Sequence, residues 1–419
     1  MFRLDMKSWM TIKPPLGPYP ALRILLRRMV VSNRLLAFAL IGASILGGPS
    51  SLKAVGPGGG SFAGDGGPAT EARLNNPRGI AVDKAGNLYI ADSSNDRLRR
   101  VDRQSGVIST LVGSGERGFA GDGGPARLAN LYFPHGLALD EGGSLYIADA
   151  GNHRIRKWDG KTGTVTTVAG TGQPRFYGNG GPATAAGLFA PRGVALDGKG
   201  NLYVADTQHS CIRKVDLEGV ITMAAGSDPE LMSKGAAPKF LWHPVGVTVG
   251  PDGEIYWADA DMNRVKKADP NRIDPKTKSG WITIIAGSEG MGFSGDGGPA
   301  RDARLEAPAA VAFDSKGNLF IADHNNGRIR RVDAKTGVIT TFAGNGKRGF
   351  SGDEGPAQEA SLNAPDGLVF DTEDNLYIAD AGNNRIRRID AATGIISTIA
   401  GSGPIDEGPP AGPVQEFFI

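Results

Sequence analysis

Cysteine and histidine are scarce in this chain of 419 residues, which has one cysteine, Cys211, and five histidines. A single cysteine excludes an internal disulfide framework and any zinc site built from cysteines. Catalytic signatures are missing too: there is no Gly-x-Ser-x-Gly elbow, no phosphate-binding glycine loop with a lysine and no paired-cysteine motif. The folded part of the chain must therefore be held together by packing, and its chemistry is not that of a common motif.

No apolar segment is long enough to span a bilayer comfortably. The uncharged stretch from Leu35 to Gly48 has 14 residues, whereas a membrane helix needs about 20. It follows Arg34 and ends in small residues, as a signal peptide does. We therefore assign residues 1–50 as a leader, followed by a mature N-terminus between about Gly48 and Val55, and expect export to the periplasm, the cell surface or the medium without stable membrane insertion. Two alternatives stay open for the first 28 residues: translation starts at Met29, or the arginines before it form a degenerate twin-arginine signal.

An excess of positive charge is also absent from the remainder of the chain. Residues 1–50 hold seven basic side chains and one acidic side chain, which leaves 39 basic and 43 acidic residues, or about −4, beyond them. A nucleic-acid-binding domain needs a basic face. We accordingly expect no nucleic-acid partner.

The dominant feature of the sequence is an internal repeat. A segment resembling Gly-Asn-Leu-Tyr-Ile-Ala-Asp occurs six times, and its final aspartates are separated by 57, 57, 53, 64 and 57 residues. Five of the six units open with Pro-x-Gly, and the fifth has Pro-Ala-Ala. Each unit contains four short β-type runs joined by turn residues, which indicates consecutive antiparallel hairpins. The units begin near these residues: Pro77, Pro134, Pro191, Pro244, Pro308 and Pro365.

Four-stranded units repeated six times predict an all-β fold, a six-bladed β-propeller of four-stranded antiparallel blades. We assign residues 51–403 to the propeller, with Ile395 to Ala400 as its outermost last strand, and residues 404–419 to a C-terminal tail. The segment from Ser51 to Val55 resembles an outer strand, so the mature N-terminus is a candidate for closing the ring.

The connections between units carry the pattern Phe-x-Gly-Asp-Gly-Gly-Pro-Ala. We expect a short helix in each, with Pro68 at its first position and Asp65 accepting its free N–H groups. The alternative is a calcium site built from these loops, although each loop offers only one carboxylate and calcium takes six to eight oxygen ligands.

The repeated units resemble NHL repeats, and the resemblance covers roughly residues 55–403, as in Asn-Pro-Arg-Gly-Ile-Ala-Val-Asp followed by Asn-Leu-Tyr-Ile-Ala-Asp. The long connection is similar to that in the NHL region of teneurins and of bacterial exported proteins. The resemblance implies a six-bladed propeller and a binding role, with protein, RNA or carbohydrate partners in different members. In the peptidyl-amidating lyases, which resemble this family, histidines after the blade-opening prolines help to hold zinc; here only His135 matches, so a lyase site is not expected.

Strand parity brings the Pro-x-Gly steps, the loops after the Ala-Asp pairs and the long connections to one face, which we call the Pro-x-Gly face. Long loops on a rigid scaffold are where binding groups usually lie. If the first strand of each blade lines the central channel, the residues after the prolines form a ring at its mouth. That ring reads as follows: Arg78, His135, Arg192, Val245, Ala309 and Asp366.

Two arginines in one concave opening favour a carboxylate or phosphate ligand. We therefore predict that Arg78, His135, Arg192 and Asp366 bind a ligand, with an anionic ligand favoured, and that the site uses no metal or cofactor. The alternative is that both arginines only pair with neighbouring loop carboxylates. The overall prediction is an exported binding scaffold for a protein, peptide or glycan; the alternative is a metal-dependent propeller enzyme of the lyase or lactonase type with its site in the channel.

A second arginine pattern is structural in our interpretation. Five of the repeated aspartates are followed five residues later by an arginine, as Asp92 is by Arg97, and charges buried between blades must be paired. The third unit departs from it with Cys211 and His209, and the fourth has an insertion around residues 271–280. The irregular units mark either a binding specialisation or simple drift.

Overall fold

The computed structural model describes residues 62–226, 243–273 and 280–403, all within one compact unit, Val55–Ile419. These residues form six antiparallel sheets, one per predicted repeat. The four main strands of each sheet follow one another along the chain, and in two sheets a preceding two-residue strand pairs with the outer strand. The six-bladed, four-stranded propeller predicted from the sequence is confirmed. The predicted leader, the predicted C-terminal tail and the proposed ring-closing segment 51–55 lie outside the described residues.

The strands of the first three blades are β1 (Pro77–Val82), β2 (Leu88–Asp92), β3 (Arg97–Val101), β4 (Ile108–Val112), β5 (Pro134–Leu139), β6 (Leu145–Asp149), β7 (Arg154–Trp158), β8 (Val165–Ala169), the two-residue β9 (Gly181–Pro182), β10 (Gly193–Leu196), β11 (Leu202–Asp206), β12 (Cys211–Val215) and β13 (Val220–Gly226).

The strands of the last three blades are β14 (Pro244–Val249), β15 (Ile255–Asp259), β16 (Arg264–Ile273), β17 (Gly280–Ala286), β18 (Pro308–Phe313), β19 (Leu319–Asp323), β20 (Arg328–Val332), β21 (Ile339–Ala343), the two-residue β22 (Gly355–Pro356), β23 (Pro365–Phe370), β24 (Leu376–Asp380), β25 (Arg385–Ile389) and β26 (Ile395–Ala400). Strand β26 is the outer strand of the last blade, as expected.

The second strand of each blade is nearly all apolar, and its burial explains this composition. In β2 every residue is buried, because neighbouring blades cover both faces of the sheet. Leu88 and Ile90 pack against the last blade, whereas Tyr89 and Ala91 pack against the second blade. The period of two along a strand thus supplies both interblade cores from one short run.

Four of the long connections form single 3₁₀ turns, and 3₁₀ turns also follow five of the six second strands. Within the described ranges they are Ala69–Glu71, Ser93–Asn95, Ala126–Leu128, Ala150–Asn152, Ala183–Ala185, Thr207–His209, Ala300–Asp302, His324–Asn326 and Ala381–Asn383. No helix in these ranges is long and apolar enough to cross a membrane. Pro68 precedes its turn instead of opening it, and no side chain caps that turn, so the predicted capping role of Asp65 is wrong.

Asp65 instead reaches an arginine buried between blades. Its Oδ1 lies 2.7 Å from Nη2 of Arg99, whose Nη1 is 3.2 Å from Oδ2 of Asp92. The guanidinium carbon of Arg99 also lies 4.6 Å from the centre of the Phe62 ring. The Phe and Asp of the long connection therefore cover a buried Arg–Asp pair, and Asp65 pairs with its guanidinium.

This arrangement corrects the predicted arginine pairing. Asp92 pairs with the arginine seven residues on, whereas Arg97 donates to the carbonyls of Asn95 and Ser114 and stacks 3.9 Å from the Phe62 ring centre. The same buried pairing recurs in four further blades, and the fourth blade substitutes lysine. The recurring pairs are Asp149–Arg156, Asp206–Arg213, Asp259–Lys266, Asp323–Arg330 and Asp380–Arg387.

The first and last blades close the ring by direct contact. The backbone N–H of Gly401 donates to the carbonyl of Ala69 at 2.9 Å, and that of Ser402 donates to the carbonyl of Ala72 at 2.8 Å. The N–H of Asn76 donates to Oδ1 of Asn384 at 2.7 Å. In the described part of the chain, closure thus uses the same interblade contacts as the other blade junctions.

Candidate functional site

The Pro-x-Gly steps bring the six innermost strands together at the channel mouth. A Cβ atom placed on Gly136 would lie 2.5 Å from the carbonyl oxygen of Arg192 in the next blade, and one on Gly246 would lie 2.6 Å from that of Ala309. Real Cβ contacts are not that short. Glycine is therefore needed at Gly136 and Gly246 because the strands approach so closely there, and this tight ring fixes the residue after each blade-opening proline at the mouth.

A cavity of about 70 Å³ lies inside this ring, where His135, Arg192 and Asp366 are among the lining residues. A site of this size holds a few water molecules or one small polar group, since about 10–15 Å³ of such cavity volume is enough for one water. The apolar walls come from the first strands: Ile80, Leu137, Val194, Val247, Val311 and Leu368.

Arg78 joins two of the predicted site residues from neighbouring blades. Its Nη1 donates to Oδ2 of Asp366 at 3.0 Å and lies 3.3 Å from Nε2 of His135. Oδ1 of Asp366 lies 3.9 Å from the same imidazole nitrogen. When Nε2 of His135 accepts the hydrogen bond from Arg78, the imidazole proton lies on Nδ1. Three of the four predicted site residues thus form one hydrogen-bonded cluster.

Burial and charge fix the protonation states in this cluster. Burial lowers the pKa of His135 well below 6.5, and nearby arginines lower it further against the opposing effect of Asp366. The pKa of Asp366 is lowered by Arg78, His135, His324 and Arg192, although burial of the carboxyl opposes this. At neutral pH the cluster accordingly contains a neutral His135 and an ionised Asp366 balanced by Arg78, and Arg192 adds one positive charge at the same mouth.

The sequence did not single out two further histidines that reach this site. Nδ1 of His324, from the loop after β19, lies 3.9 Å from Oδ2 of Asp366, and His243 is close enough to lower the pKa of His135. All five histidines of the chain stand on the Pro-x-Gly face: His135, His153, His209, His243 and His324. Their concentration on one face is a signal that strand parity could have revealed.

Three of the predicted site residues belong to the innermost strands themselves. Arg78, His135 and Asp366 are the second residues of β1, β5 and β23. His135 and Asp366 are 3% and 4% exposed, so they are built into the channel wall. Val245 and Ala309 are also buried and add no polar group.

A metal centre is not formed by these side chains. Across residues 62–226, 243–273 and 280–403, no group of three or more His, Cys, Asp or Glu side chains is arranged to hold a metal ion.

Comparison with known families identifies the repeat. Residues 50–119 and 171–236 match the model of the teneurin NHL domain, and residues 131–158 match the NHL repeat. The chain is 33% identical over 282 residues to the Arabidopsis thaliana protein SUPPRESSOR OF QUENCHING 1, covering 64% of this chain and 26% of that one. It is 27% identical to human NHL repeat-containing protein 2, covering 79% and 41%, and 30% identical to human teneurin-1, covering 58% and 10%. It spans less than half the length of each of these relatives.

Solved structures agree on the architecture. A protein of unknown function from Bacteroides thetaiotaomicron superposes with a TM-score of 0.57 at 19% identity, covering 78% of this chain and 72% of that one. An auxiliary nutrient binding protein from the same organism gives 0.55 at 18% identity, covering 81% and 76%. At these identities the likeness concerns the fold. The family matches and the six four-stranded blades place the chain among the NHL-repeat β-propellers.

Proposed function

We propose that this protein is an exported binding module that captures an anionic group of a protein, peptide or glycan at the channel mouth of its Pro-x-Gly face. The observation that carries the proposal is the local charge. Arg192 lines the cavity together with His135 and Asp366, and the single carboxylate in that group is already balanced by Arg78 at 3.0 Å. A carboxylate entering the cavity would therefore meet the guanidinium group of Arg192 and, among these residues, no carboxylate that lacks a cationic partner.

The geometry of the mouth supports a small anionic tip as the bound group. Guanidinium groups present several N–H donors that suit carboxylates. His135 is held neutral and can direct one hydrogen bond, while its other nitrogen faces Arg78. Binding pockets commonly combine apolar walls with a few such convergent polar groups, as the ring of inner strands does here.

Export is part of the proposal and rests on the leader pattern of residues 1–50. An exported scaffold with one cysteine cannot use disulfides, and the five buried Arg–Asp pairs and the blade contacts take over that stabilising role.

The test uses Arg192→Ala, with Arg175→Ala as a control that removes the same charge from an exposed loop position of the same face. Calorimetric titration with galacturonate and acetate measures affinity for a carboxylate. A charge-assisted hydrogen bond contributes about 1.5–3 kcal/mol, so Arg192→Ala should weaken binding roughly tenfold to a hundredfold. Equal affinities for wild type and Arg192→Ala, or no carboxylate binding by wild type, would refute the proposal.

Arg78 is not the right residue for that test. Removing it leaves the carboxylate of Asp366, which is 4% exposed, without its guanidinium partner. A buried charge that loses its partner destabilises a protein strongly. Loss of binding in Arg78→Ala would therefore report on folding as well as on the site, whereas Arg192→Ala isolates the ligand contribution.

A further inference from the structure

The Pro-x-Gly face is chemically divided, and the repeat itself reveals the division. In the second and third blades, the second residue before the proline is aromatic, and the loop after the second strand carries a histidine. At that position before the proline the first, fifth and sixth blades have the polar residues Asn75, Glu306 and Asn363, whereas the fourth has Trp242, which lies outside the described residues. The rings of the second and third blades, together with Phe176 from the connection between them, are called the aromatic crescent here, and its residues are Tyr132, Phe133, His153, Phe176, Phe189 and His209.

The rings of the crescent are in contact. The centroid of Phe189 lies 5.3 Å from that of His153 and 5.8 Å from that of His209, in edge-to-face arrangements. His209 in turn lies 5.4 Å from Phe176. His209 is anchored by its Nδ1, 2.9 Å from Oδ2 of Asp206, and all four rings are partly exposed. The crescent is therefore a rigid, partly exposed surface.

Phe133 connects this surface to the channel mouth. Its ring centre lies 5.1 Å from the guanidinium carbon of Arg78 and 6.5 Å from the ring of His135. Its backbone has φ of +52°, which is unfavourable for a bulky residue, and it is held there by the N–H that donates to Oδ1 of Asp96 at 2.8 Å.

The other blades show that the fold does not require phenylalanine at this position. The equivalent residues Ala190, Ala307 and Ala364 adopt the same backbone, with φ of +44°, +46° and +51°. A large ring is thus present in the second blade at a position where alanine suffices for the propeller. This independent observation points to a role for the Phe133 ring outside the fold.

We infer that the ligand is an acidic carbohydrate whose carboxylate enters the channel mouth while its sugar rings lie on the aromatic crescent. The inference rests on the proposed function and names its ligand class. Flat aromatic faces suit the apolar faces of sugar rings, and the imidazoles between them donate and accept hydrogen bonds, as sugar hydroxyls do.

The orientation of the strands disfavours a peptide on this face. Extended peptides commonly bind by adding a strand to an exposed sheet edge. On the Pro-x-Gly face the strands end, since β1 begins and β2 finishes there, so no strand edge is presented for main-chain pairing. The charge of the mouth and the rings beside it are therefore matched by a uronic acid better than by an extended peptide.

The experiment measures binding of trigalacturonate to the full-length protein by calorimetry. Its methyl ester tests the carboxylates, and the tripeptide Gly-Gly-Phe with a free carboxylate represents peptides. We expect trigalacturonate to bind at least tenfold more tightly than its ester or the peptide. Phe133→Ala should weaken trigalacturonate binding about tenfold and leave acetate binding unchanged, whereas the matched variant Asn76→Ala in the first blade should bind as wild type does.

The outcomes separate the two proposals. If acetate and the peptide bind through Arg192 but trigalacturonate gains no affinity over acetate, or Phe133→Ala binds it normally, the carbohydrate inference is wrong and anion binding stands. If no carboxylate binds, the proposed function itself is wrong. Thermal melting of both variants checks the fold, and the alanines found at this position in three blades lead us to expect native melting for Phe133→Ala.

Discussion

Arg156 offers a direct measurement of what the buried charges contribute to this propeller, because two carboxylates bind it in different surroundings. Nη1 lies 3.3 Å from Oδ2 of Asp149, which is fully buried, and Nη2 lies 2.6 Å from Oδ1 of Asp122, whose side chain is 36% exposed. Asp149 also accepts the N–H of Tyr132 and the amide of Asn152, both at 2.8 Å. The two carboxylates therefore share one cation but differ in solvent and in hydrogen bonding.

Replacing Asp149 with asparagine removes the charge and points an NH₂ group at the donors of Asn152 and Arg156. Breaking a buried ion pair costs about 3–5 kcal/mol because the remaining charge is left uncompensated. The same substitution at Asp122 leaves Arg156 paired with Asp149 and acts at a partly exposed position, so we expect a loss of about 1 kcal/mol or less. Asp149→Asn should thus lower the free energy of unfolding several times more than Asp122→Asn.

Urea unfolding followed by far-ultraviolet circular dichroism gives both free energies at about pH 7. Asp122→Asn serves as the matched control, since the two variants make the same chemical change beside the same guanidinium. Equal losses in the two variants would contradict the argument, because burial could then not be the factor that sets the contribution of the pair.

Two further perturbations test the channel ring. Acidification should destabilise His135→Gln less than wild type, since the unfolded histidine gains a proton near pH 6.5 while the buried one stays neutral. Between about pH 7.5 and 5.5 the difference in unfolding free energy should reach roughly 1.4 kcal/mol. Identical pH profiles would show that the pKa of His135 is not lowered. Gly136→Ala should lower that free energy by about 1–3 kcal/mol because its Cβ would overlap the carbonyl of Arg192. Gly198→Ala, which meets nothing within 4 Å, is its control, and a neutral Gly136→Ala in the same urea experiment would argue against a close-packed ring.

Strand content and blade number could be predicted from the sequence because each blade repeats one short apolar run with turn residues at fixed distances. The pairing of each buried aspartate with the arginine or lysine seven residues on could not be predicted. Asp92 and Arg97 are directly opposite in the register of β2 and β3, and Arg97 and Arg99 point to the same face, since side chains two apart on a strand do. Spacing alone does not distinguish the two arginines, and the long side chain of Arg99 makes the diagonal contact.

The ion pair of Arg78 and Asp366 at the channel mouth is a second feature that the sequence could not predict. Arg78 and Asp366 are 288 residues apart in sequence, and only closure of the ring makes them neighbours. The sequence predicted that they share the channel mouth, but it treated both as ligand-binding groups. Their direct ion pair depends on side-chain reach across the first–last blade junction, and that distance is set by the close glycine contacts, which no spacing rule describes.

Comparison of equivalent positions in the six blades separates those that the fold constrains from those that vary. The arginine or lysine that pairs with the buried aspartate is cationic in every blade, from Arg99 to Lys266 and Arg387, because an unpaired buried carboxylate would destabilise any of them. The residue after the blade-opening proline has no such constraint, and it ranges from Arg192 to Ala309. Five of the six copies lie in the first strand of their blade and Arg192 directly precedes β10, so the position in the ring alone does not dictate the side chain. Chemistry that differs at equivalent positions around one channel is what a single asymmetric ligand requires, since each blade then contacts a different part of it.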